Sequence, residues 1–175
     1  MKKKIILALE GPDMCGKSQI AEELSKQFGV SIFKNTGEWK VDLESTDYFK
    51  NLLLFGGTFL IDFIEQVQPD VIFDRFYPSE FVYSKHFGRN TDLSVLKKID
   101  LKFANSGGKI VICRRKNYDG IQDDLHQCID SQALSKLDSY YEEFTKWTSC
   151  DVLTLWVDDE NLQREIKEIK EWLTK

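Results

Sequence analysis

Runs of apolar residues and stretches with helical apolar spacing alternate along this chain. Lys4 to Leu9 is a continuous apolar run with β-branched residues, which is typical of a parallel strand buried on both faces. Shorter apolar runs predict four more strands, at 30–33, 71–74, 109–113 and 151–156. Apolar residues on one helical face predict helices at 17–28, 47–68, 78–83, 91–103, 130–147 and 161–173. Because strands and helices alternate, we expect a three-layer α/β fold, a five-stranded parallel sheet with helices on both faces.

Three local features refine this expectation. Gly56 and Gly57 interrupt the second helix and are expected to bend or loosen it. Thr91 is expected to cap the fourth helix. The aromatic residues of the fifth helix, among them Tyr141, have helical spacing and are interpreted as packing. No charge block, repeat or low-complexity segment marks a linker, so residues 1–175 are expected to form one domain.

Composition excludes some partners. The chain has 175 residues, of which 42% are hydrophobic and 30% charged, a profile typical of a folded, soluble protein. Its net charge of −5 argues against broad affinity for a nucleic-acid backbone. No apolar run is long enough to span a bilayer, and the first one is too short for a signal peptide, so we expect no membrane partner and a cytoplasmic location, or the host cytoplasm if the protein is viral. The four cysteines lack metal-ligand spacing, and Cys15 and Cys113 are expected to be small, reduced fillers.

A phosphate-binding loop carries the strongest chemical signal. Residues 11–18, Gly-Pro-Asp-Met-Cys-Gly-Lys-Ser, match G-x-x-x-x-G-K-[ST] between a predicted strand and a predicted helix. Glycines let backbone N–H groups surround phosphates, and the helix N-terminus adds a favourable partial charge. We expect Lys17 to reach the β and γ phosphates of ATP, and the Ser18 hydroxyl to coordinate Mg²⁺. The other residues expected to contact ATP in and beside this loop are Asp13, Met14, Cys15, Gly16 and Gln19.

The loop alone does not identify the reaction. GTPases share it, but the chain has no N-K-x-D sequence for reading guanine, and large motor ATPases need a longer chain. Asp74 ends the third predicted strand, and the carboxyl end of a strand adjoining the first faces the phosphate loop. It is expected to orient the metal, while the adjacent Arg75 neutralises phosphate charge, and we assign Lys17, Asp74 and Arg75 as catalytic.

The segment that follows resembles the signature of thymidylate kinases. Residues 74–83, Asp-Arg-Phe-Tyr-Pro-Ser-Glu-Phe-Val-Tyr, are similar to that family's D-R-[YFH]-x-x-S-x-x-x-Y pattern, and residues 88–89 fall where the family often has Gly-Arg. Residues 10–13, Glu-Gly-Pro-Asp, also resemble the family's entry into the phosphate loop. The order of elements agrees over nearly the whole chain, which implies the P-loop kinase fold and, in many members, a homodimer. Deoxynucleoside kinases share the layout but usually carry Glu-Arg-Ser at the positions of 74–76.

The resemblance implies where the acceptor lies. It places Asp13 near the acceptor sugar hydroxyl and Arg75 on the acceptor phosphate, with Lys34 as a further phosphate contact. Phe55 would stack on the base, although an aromatic after three leucines is equally well a core residue, and Tyr83 would lie against the sugar or base. Two further residues expected to bind the substrate by this likeness are Ser79 and Arg89.

Departures from the family pattern point to the substrate. Phe59 stands where the family has its base-reading arginine, and Ser84 where it has a glutamine. A pocket without these polar groups is expected to accept a different or modified pyrimidine. Asn35 replaces a glutamate of the family's R-E-P segment, and because a monophosphate oxygen needs no general base, this favours a nucleoside monophosphate as acceptor. Glu38 or Asp74 could replace a missing base.

An arginine-bearing lid is expected at about 114–127. Met14 occupies the loop position where some members of the family carry an arginine, so the lid is expected to supply that charge. Converging arginines stabilise the charge that spreads over the transferred phosphoryl group. We assign Arg115 as the catalytic lid residue and Arg114 as an ATP contact.

Two rival functions stay open. A deoxynucleoside kinase would phosphorylate the 5′-hydroxyl of a free nucleoside. A nucleotide-binding module without catalysis would act through its conformation or a partner. Retention of Lys17, Ser18, Asp74 and Arg75 speaks against the second rival, because a simple binder has less need for the whole set.

Overall fold

The computed structural model describes residues 4–34, 47–121 and 129–175, with the side chains of residues 47–55 outside this description. Five strands and six helices alternate in the described part of the chain. Their bounds are β1 (Ile6–Glu10), α1 (Lys17–Phe28), β2 (Ser31–Lys34), α2 (Asp47–Val67), β3 (Val71–Asp74), α3 (Tyr77–His86), α4 (Leu93–Asn105), β4 (Lys109–Arg114), α5 (Ser131–Thr145), β5 (Asp151–Trp156) and α6 (Leu162–Thr174).

All five strands pair in parallel, in the order β2-β3-β1-β4-β5. The central strand β1 is buried along its whole length, as its apolar run predicts. The register aligns Leu9 with Asp74 on one side and Glu10 with Ile112 on the other. The chain therefore leaves β1, β3 and β4 at one edge of the sheet, where the carboxyl ends of the strands meet.

Helices cover both faces of the sheet and confirm the predicted three-layer α/β fold. Helix α1 packs against α6 and against β1, β2 and β3, while α2 packs against α4 and α3 against α5. An aromatic cluster joins helix α4 to the sheet. The Phe73 ring of β3 stacks on the Phe76 ring with centroids 4.6 Å apart, and it meets the Phe103 ring of α4 edge-on with centroids 6.2 Å apart. In the described ranges, no helix combines the length and apolar character required to cross a membrane.

One local expectation needs correction. Thr91 does not cap α4: the cap is Asp92, whose carboxylate accepts from the backbone N–H groups of Ser94 and Val95, while the Thr91 hydroxyl donates to Glu80. The prediction of Thr91 was wrong because both residue types favour this position and only the backbone conformation decides between them. Helix α2 runs through Gly56 and Gly57 without interruption. Gly57 lies against α4, where an added Cβ would be 3.3 Å from Ile99.

A buried polar cluster ties α3 and α4 to the segment before β5. The Asp100 carboxylate of α4 is 1% exposed and accepts from the Tyr77 hydroxyl at 2.6 Å, the Thr148 hydroxyl at 2.5 Å and the Ser149 backbone N–H at 2.6 Å. Cys150 lies beside it, 3.5 Å from the Tyr77 oxygen. A buried carboxylate with three donors is satisfied, so this cluster fixes the spacing of the two helices.

Gly11 marks the closest approach of two chain segments at the sheet edge. Its φ is 131°, and a Cβ at this position would lie 2.1 Å from the carbonyl oxygen of Cys113 at the end of β4. Both the backbone conformation and the space exclude a side chain.

We predict that Gly11→Ala lowers the free energy of unfolding by at least about 2 kcal/mol, because it combines backbone strain with a clash against backbone. Gly29→Ala is the matched control: Gly29 also has positive φ, 67°, but open space around it, so only a strain of about 1 kcal/mol is expected. Urea unfolding of both variants measures the difference. Equal losses would show that the contact with Cys113 is unimportant.

Candidate active site

The loop that is predicted to bind phosphate lies between β1 and α1, at the expected place in the chain. Gly16 has φ 66° and precedes the first residue of α1, so the loop backbone turns into the helix N-terminus. Lys17 is buried, and its ammonium donates to the Pro12 carbonyl at 2.5 Å across the loop. Burial lowers the pKa of Lys17, and the nearby Arg75 lowers it further. Two cations that converge in a desolvated place favour an anion between them.

Ser18 and Asp74 meet at the sheet edge. The Ser18 hydroxyl at the start of α1 donates to Asp74 Oδ2 at 2.7 Å, so the end of β3 is in direct contact with the loop helix. A hydroxyl and a carboxylate offer hard oxygen ligands, the kind that Mg²⁺ prefers. Among the described residues, no group of three or more His, Cys, Asp or Glu side chains could hold a metal ion.

Arg75 projects from the turn between β3 and α3 toward the loop. Its Nη1 donates to the Gly11 carbonyl at 3.0 Å, to the Ser79 hydroxyl at 3.2 Å and to the Tyr141 hydroxyl at 3.2 Å, and its Nη2 forms an ion pair with Asp13. The guanidinium is therefore fixed on the β3 side of the loop. Fixed donors lose less conformational entropy when they bind an anion than mobile ones do.

Asp13 and Tyr83 complete this side. Both carboxylate oxygens of Asp13 are bonded, Oδ1 to Arg75 and Oδ2 to the Tyr83 hydroxyl at 2.5 Å. The Arg75 guanidinium lies over the Tyr83 ring, 5.1 Å from its centroid. Burial raises the pKa of Tyr83 well above its ordinary value, so the phenol stays protonated and donates. The structure thus brings together Asp13, Arg75 and Tyr83, with Ser79 beside them.

A buried carboxylate behind Arg75 was missed by the sequence analysis. Glu10 ends β1 and is fully buried, and it accepts from the Phe76 backbone N–H at 2.6 Å, the Ser79 hydroxyl at 2.7 Å and the Tyr141 hydroxyl at 3.1 Å. A carboxylate that ends a wholly apolar strand is unusual, and this signal could have singled out Glu10. Tyr141 gave no signal, because its spacing on α5 is that of a packing residue.

Arg115 reaches the loop from the opposite side. Its Nε donates to the Met14 carbonyl at 3.1 Å and its Nη2 to Glu160 at 3.0 Å, so the end of β4, the phosphate loop and the segment after β5 meet at one guanidinium. Residues 114–121 of the expected lid are described, and residues 122–128 lie outside the described residues.

Arg114, the neighbouring residue, is turned to α5. It forms a two-pronged ion pair with Asp138, at 2.9 and 2.6 Å, and lies over the Trp156 ring at 5.3 Å. Tyr118 donates to the same Asp138 at 3.1 Å, and its oxygen is 3.7 Å from the Cys15 sulfur in the loop. Burial raises the pKa of Cys15, which leaves it a neutral filler of the loop. The contact of Arg114 with ATP stays a prediction.

The other residues expected at the substrate site are more scattered. Lys34 is exposed at the end of β2, in register with Asp74. Phe59 on α2 is 71% exposed. Arg89 forms a buried ion pair with Glu80 of α3 at 2.8 Å, and its contact with the substrate stays a prediction. Phe55 lies on α2, but its side chain is outside the described part, as are Asn35 and Glu38.

Backbone strain concentrates at these contacts. The non-glycine residues with positive φ in the described ranges are Met14 at 61°, Gln68 at 54°, Arg75 at 68° and Glu160 at 49°. Three of them, Met14, Arg75 and Glu160, bear on the site just described. Each such conformation costs on the order of 1 kcal/mol or more and persists where the surroundings impose it.

Comparison with known proteins agrees on the fold. A protein called YorR from Bacillus subtilis, crystallised in complex with phosphorylated GDP, superposes with a TM-score of 0.75 and 22% identity over 97% of this chain and 95% of that one. The chain has the fold of thymidylate kinase-like P-loop kinases. A deoxyadenosine kinase from M. mycoides with bound dCTP matches with a TM-score of 0.62 and 19% identity, covering 97% and 99% of the two chains. A thymidylate kinase from Candida albicans matches at 0.65 and 14%, covering 98% and 92%.

Similarity in sequence covers a smaller part of the chain than similarity in fold. The uncharacterized, SPbeta prophage-derived protein YorR of Bacillus subtilis strain 168 is 33% identical over 100 residues, which are 56% of this chain and 52% of that protein. The match thus spans about half of the curated relative. No protein-family model matches the chain.

The buried Glu10 gives a pH-dependence that can be measured. Burial raises its pKa from the ordinary 4.5 to about 6, against the opposing effects of Arg75 and of its hydrogen bonds. Its protonated form contributes stability that is fully present below pH 4.5 and lost as the pH rises through about 6. The loss amounts to about 2 kcal/mol.

We predict that the free energy of unfolding of the wild-type protein falls, relative to that of Glu10→Gln, by about this amount between pH 4.5 and 7. The Gln variant has no proton to lose at this position, and it corrects for all other titrating groups. Denaturant unfolding of both proteins at half-unit pH steps measures the difference. A difference that stays constant with pH would contradict the assigned shift.

Proposed function

We propose that the chain transfers the terminal phosphoryl group of ATP to the phosphate of a nucleoside monophosphate, giving ADP and a nucleoside diphosphate. In this step the bond from the γ phosphorus to the β,γ-bridging oxygen breaks, and a bond to an oxygen of the acceptor phosphate forms. The observation that carries the proposal is the position of Arg75, which is fixed beside the phosphate loop through the Gly11 carbonyl at 3.0 Å. A fixed cation next to the γ-phosphate position suits an acceptor that is itself an anion.

Each side of the loop has its own task in this proposal. The loop amides and Lys17 hold the donor phosphates. Arg75, steadied by Asp13, holds the acceptor phosphate on the β3 side. Arg115 reaches the loop from the β4 side, where it is suited to stabilise charge on the transferred group and to exclude water.

Ser18 and Asp74 are the residues suited to hold Mg²⁺, through a hydroxyl and a carboxylate 2.7 Å apart. The ion, when bound, would neutralise negative charge on the β and γ phosphates. The acceptor phosphate is already ionised near neutral pH, so the transfer needs no general base. This accords with Asp13, whose carboxylate oxygens are both engaged by Arg75 and Tyr83.

We further propose a pyrimidine deoxynucleoside monophosphate as acceptor, with a base that differs from thymine or carries a modification. Support comes from Phe59, which is exposed on α2 where thymidylate kinases carry a base-reading arginine. The alternative is a purine acceptor, which the complex of YorR with phosphorylated GDP supports. Substrate trials decide between them.

A second candidate is a deoxynucleoside kinase. The likeness in fold to the deoxyadenosine kinases of M. mycoides favours it. The acceptor would then be a 5′-hydroxyl, which must lose a proton to a carboxylate base. Of the two candidates for that base, Asp74 would have to give up its hydrogen bond with Ser18, and Glu38 lies outside the described residues.

The deciding experiment is a panel of nucleoside monophosphates and nucleosides, including pyrimidines modified at carbon 5, assayed for ADP release from ATP and Mg²⁺. We expect turnover with a pyrimidine deoxynucleoside monophosphate and none with free nucleosides. Lys17→Ala is expected to lower turnover by at least about 100-fold with the fold intact, because it removes the cation at the transferred phosphate. Turnover of nucleosides alone would favour the second candidate, and full activity of Lys17→Ala would overturn both.

A prediction for the lid separates its two arginines. Arg115→Ala should lower kcat at least about 100-fold with an unchanged melting temperature, because it removes charge at the transferred group. Arg114→Ala should instead lower the free energy of unfolding by about 2 kcal/mol, because it leaves Asp138 without its ionic partner. Lys116→Ala, at an exposed neighbouring position, is the control and should change neither quantity. Steady-state kinetics and thermal unfolding measure both effects, and the reverse pattern would exchange the assigned roles.

A further inference from the structure

The three hydrogen bonds received by Glu10 divide between its two oxygens. Oε1 accepts from the Phe76 backbone N–H at 2.6 Å, which ties the end of β1 to the start of α3. Oε2 accepts from the hydroxyls of Ser79 at 2.7 Å and Tyr141 at 3.1 Å, which belong to α3 and α5. One buried carboxylate therefore joins three elements directly behind Arg75.

The two hydroxyls also face Arg75. A hydroxyl has one proton, so when it donates to Glu10 its oxygen lone pairs are left to accept from elsewhere. Arg75 Nη1 lies 3.2 Å from the Ser79 oxygen and 3.2 Å from the Tyr141 oxygen, and it donates to both. Burial raises the pKa of Tyr141 well above its ordinary value, so the phenol keeps the proton that it donates to Glu10. The two hydroxyl oxygens also lie 3.1 Å from each other. While both protons go to the Glu10 carboxylate, neither hydroxyl donates to the other, and both oxygens accept from Arg75.

We propose that Glu10 is a positioning residue for Arg75: its carboxylate orients the Ser79 and Tyr141 hydroxyls as acceptors, and these hold the guanidinium toward the phosphate loop. The proposal rests on the proposed function where it states that Arg75 binds the acceptor phosphate. The positioning itself is a property of the free protein.

Stability alone does not account for this carboxylate. Its ionised form is disfavoured by burial, and its pKa is raised to about 6 in spite of the nearby Arg75 and three hydrogen bonds. A buried ionised group of this kind is often less stabilising than a neutral side chain of the same shape. The role proposed for this carboxylate is therefore its effect on the guanidinium.

Glu10→Gln isolates the orienting effect. The amide keeps an oxygen for the Phe76 N–H but places an NH₂ group where Oε2 accepts two hydroxyls. That group is a donor, so the hydroxyl protons must turn away from it, and the oxygens lose their lone-pair alignment toward Arg75. The side chain retains its size, and the link between β1 and α3 is kept.

The experiment measures Arg75 both directly and through activity. In protein labelled with ¹⁵N-arginine, the rotation of the Arg75 guanidinium about its Nε–Cζ bond is followed by NMR, with Arg75→Lys to assign the signal. In parallel, KM is measured for the acceptor monophosphate and for ATP. We expect Glu10→Gln to speed the rotation at least about 10-fold and to raise the acceptor KM by about 10- to 100-fold, with the KM for ATP unchanged.

Asp100→Asn is the matched control. It removes the charge of another buried carboxylate with three donors, but in the cluster between α4 and the segment before β5. We expect it to alter stability and to leave the acceptor KM and the Arg75 rotation unchanged. If Asp100→Asn changed both as much as Glu10→Gln does, a general loosening of the fold would explain the result and the proposal would be overturned.

Tyr141→Phe and Ser79→Ala provide the test should Glu10→Gln fail to fold, since each removes one of the oriented acceptors. Faster rotation in either variant supports the proposal, and unchanged rotation in both overturns it. Because rotation is measured without turnover, the two proposals can fail separately. If Glu10→Gln speeds the Arg75 rotation but the wild-type protein transfers no phosphoryl group, the positioning role stands and the proposed function is overturned. If the protein transfers phosphoryl groups but Glu10→Gln changes neither the acceptor KM nor the Arg75 rotation, the proposed function stands and the positioning role is overturned.

Discussion

The contact between Gly11 and the Cys113 carbonyl is the constraint on which the rest of the site depends. Because Gly11 has no Cβ, the chain leaves β1 directly against the end of β4. A Cβ at this residue would lie 2.1 Å from the Cys113 carbonyl oxygen. This approach brings the loop within reach of residues from both neighbouring strands. Arg75 follows β3 and bonds the carbonyl of Gly11 itself, while Arg115 follows β4 and bonds that of Met14. A wider turn would separate these arginines from the loop amides.

The two sides of the loop differ in how firmly their arginines are held. Within the described residues, the Arg75 guanidinium contacts four protein groups, one of them through an ion pair with the half-buried Asp13, and it lies over an aromatic ring. The Arg115 guanidinium contacts two groups in that part of the chain, and its ionic partner Glu160 is exposed, so water screens that pair. A rigid cation suits recognition of a bound anion, whereas a weakly held one can shift during a catalytic cycle.

The fold could be predicted almost entirely from the sequence, because parallel strands and their helices carry strong apolar periodicities. Helix α1 and strands β3 and β5 begin and end at the predicted residues. An error occurred where the pattern was locally degenerate, because Thr91 and Asp92 are both acceptable caps. Periodicity reports burial, and it does not report which competing residue makes a given bond.

The site was predictable only where a motif defines it. Lys17, Ser18, Asp74 and Arg75 meet as their spacing indicates. Glu10 and Tyr141 act through contacts 131 positions apart in the chain, and no local pattern encodes such a distance. Arg114 and Arg115 are adjacent and chemically identical, and because successive side chains at the end of a strand point to opposite faces, one contacts Asp138 and the other the loop.

The left-handed backbone of Met14, Arg75 and Glu160 has a consequence for engineering. Glycine at the exposed Met14 or Glu160 would relieve this strain without removing a buried partner. At Arg75 it would also delete a guanidinium that is paired with Asp13 and lies near the buried Glu10, and the unpaired groups left behind would cost more than the strain that is relieved. Variants of higher heat resistance are therefore to be sought at Met14 and Glu160, because at Arg75 the strained backbone and the partner of Asp13 are the same residue.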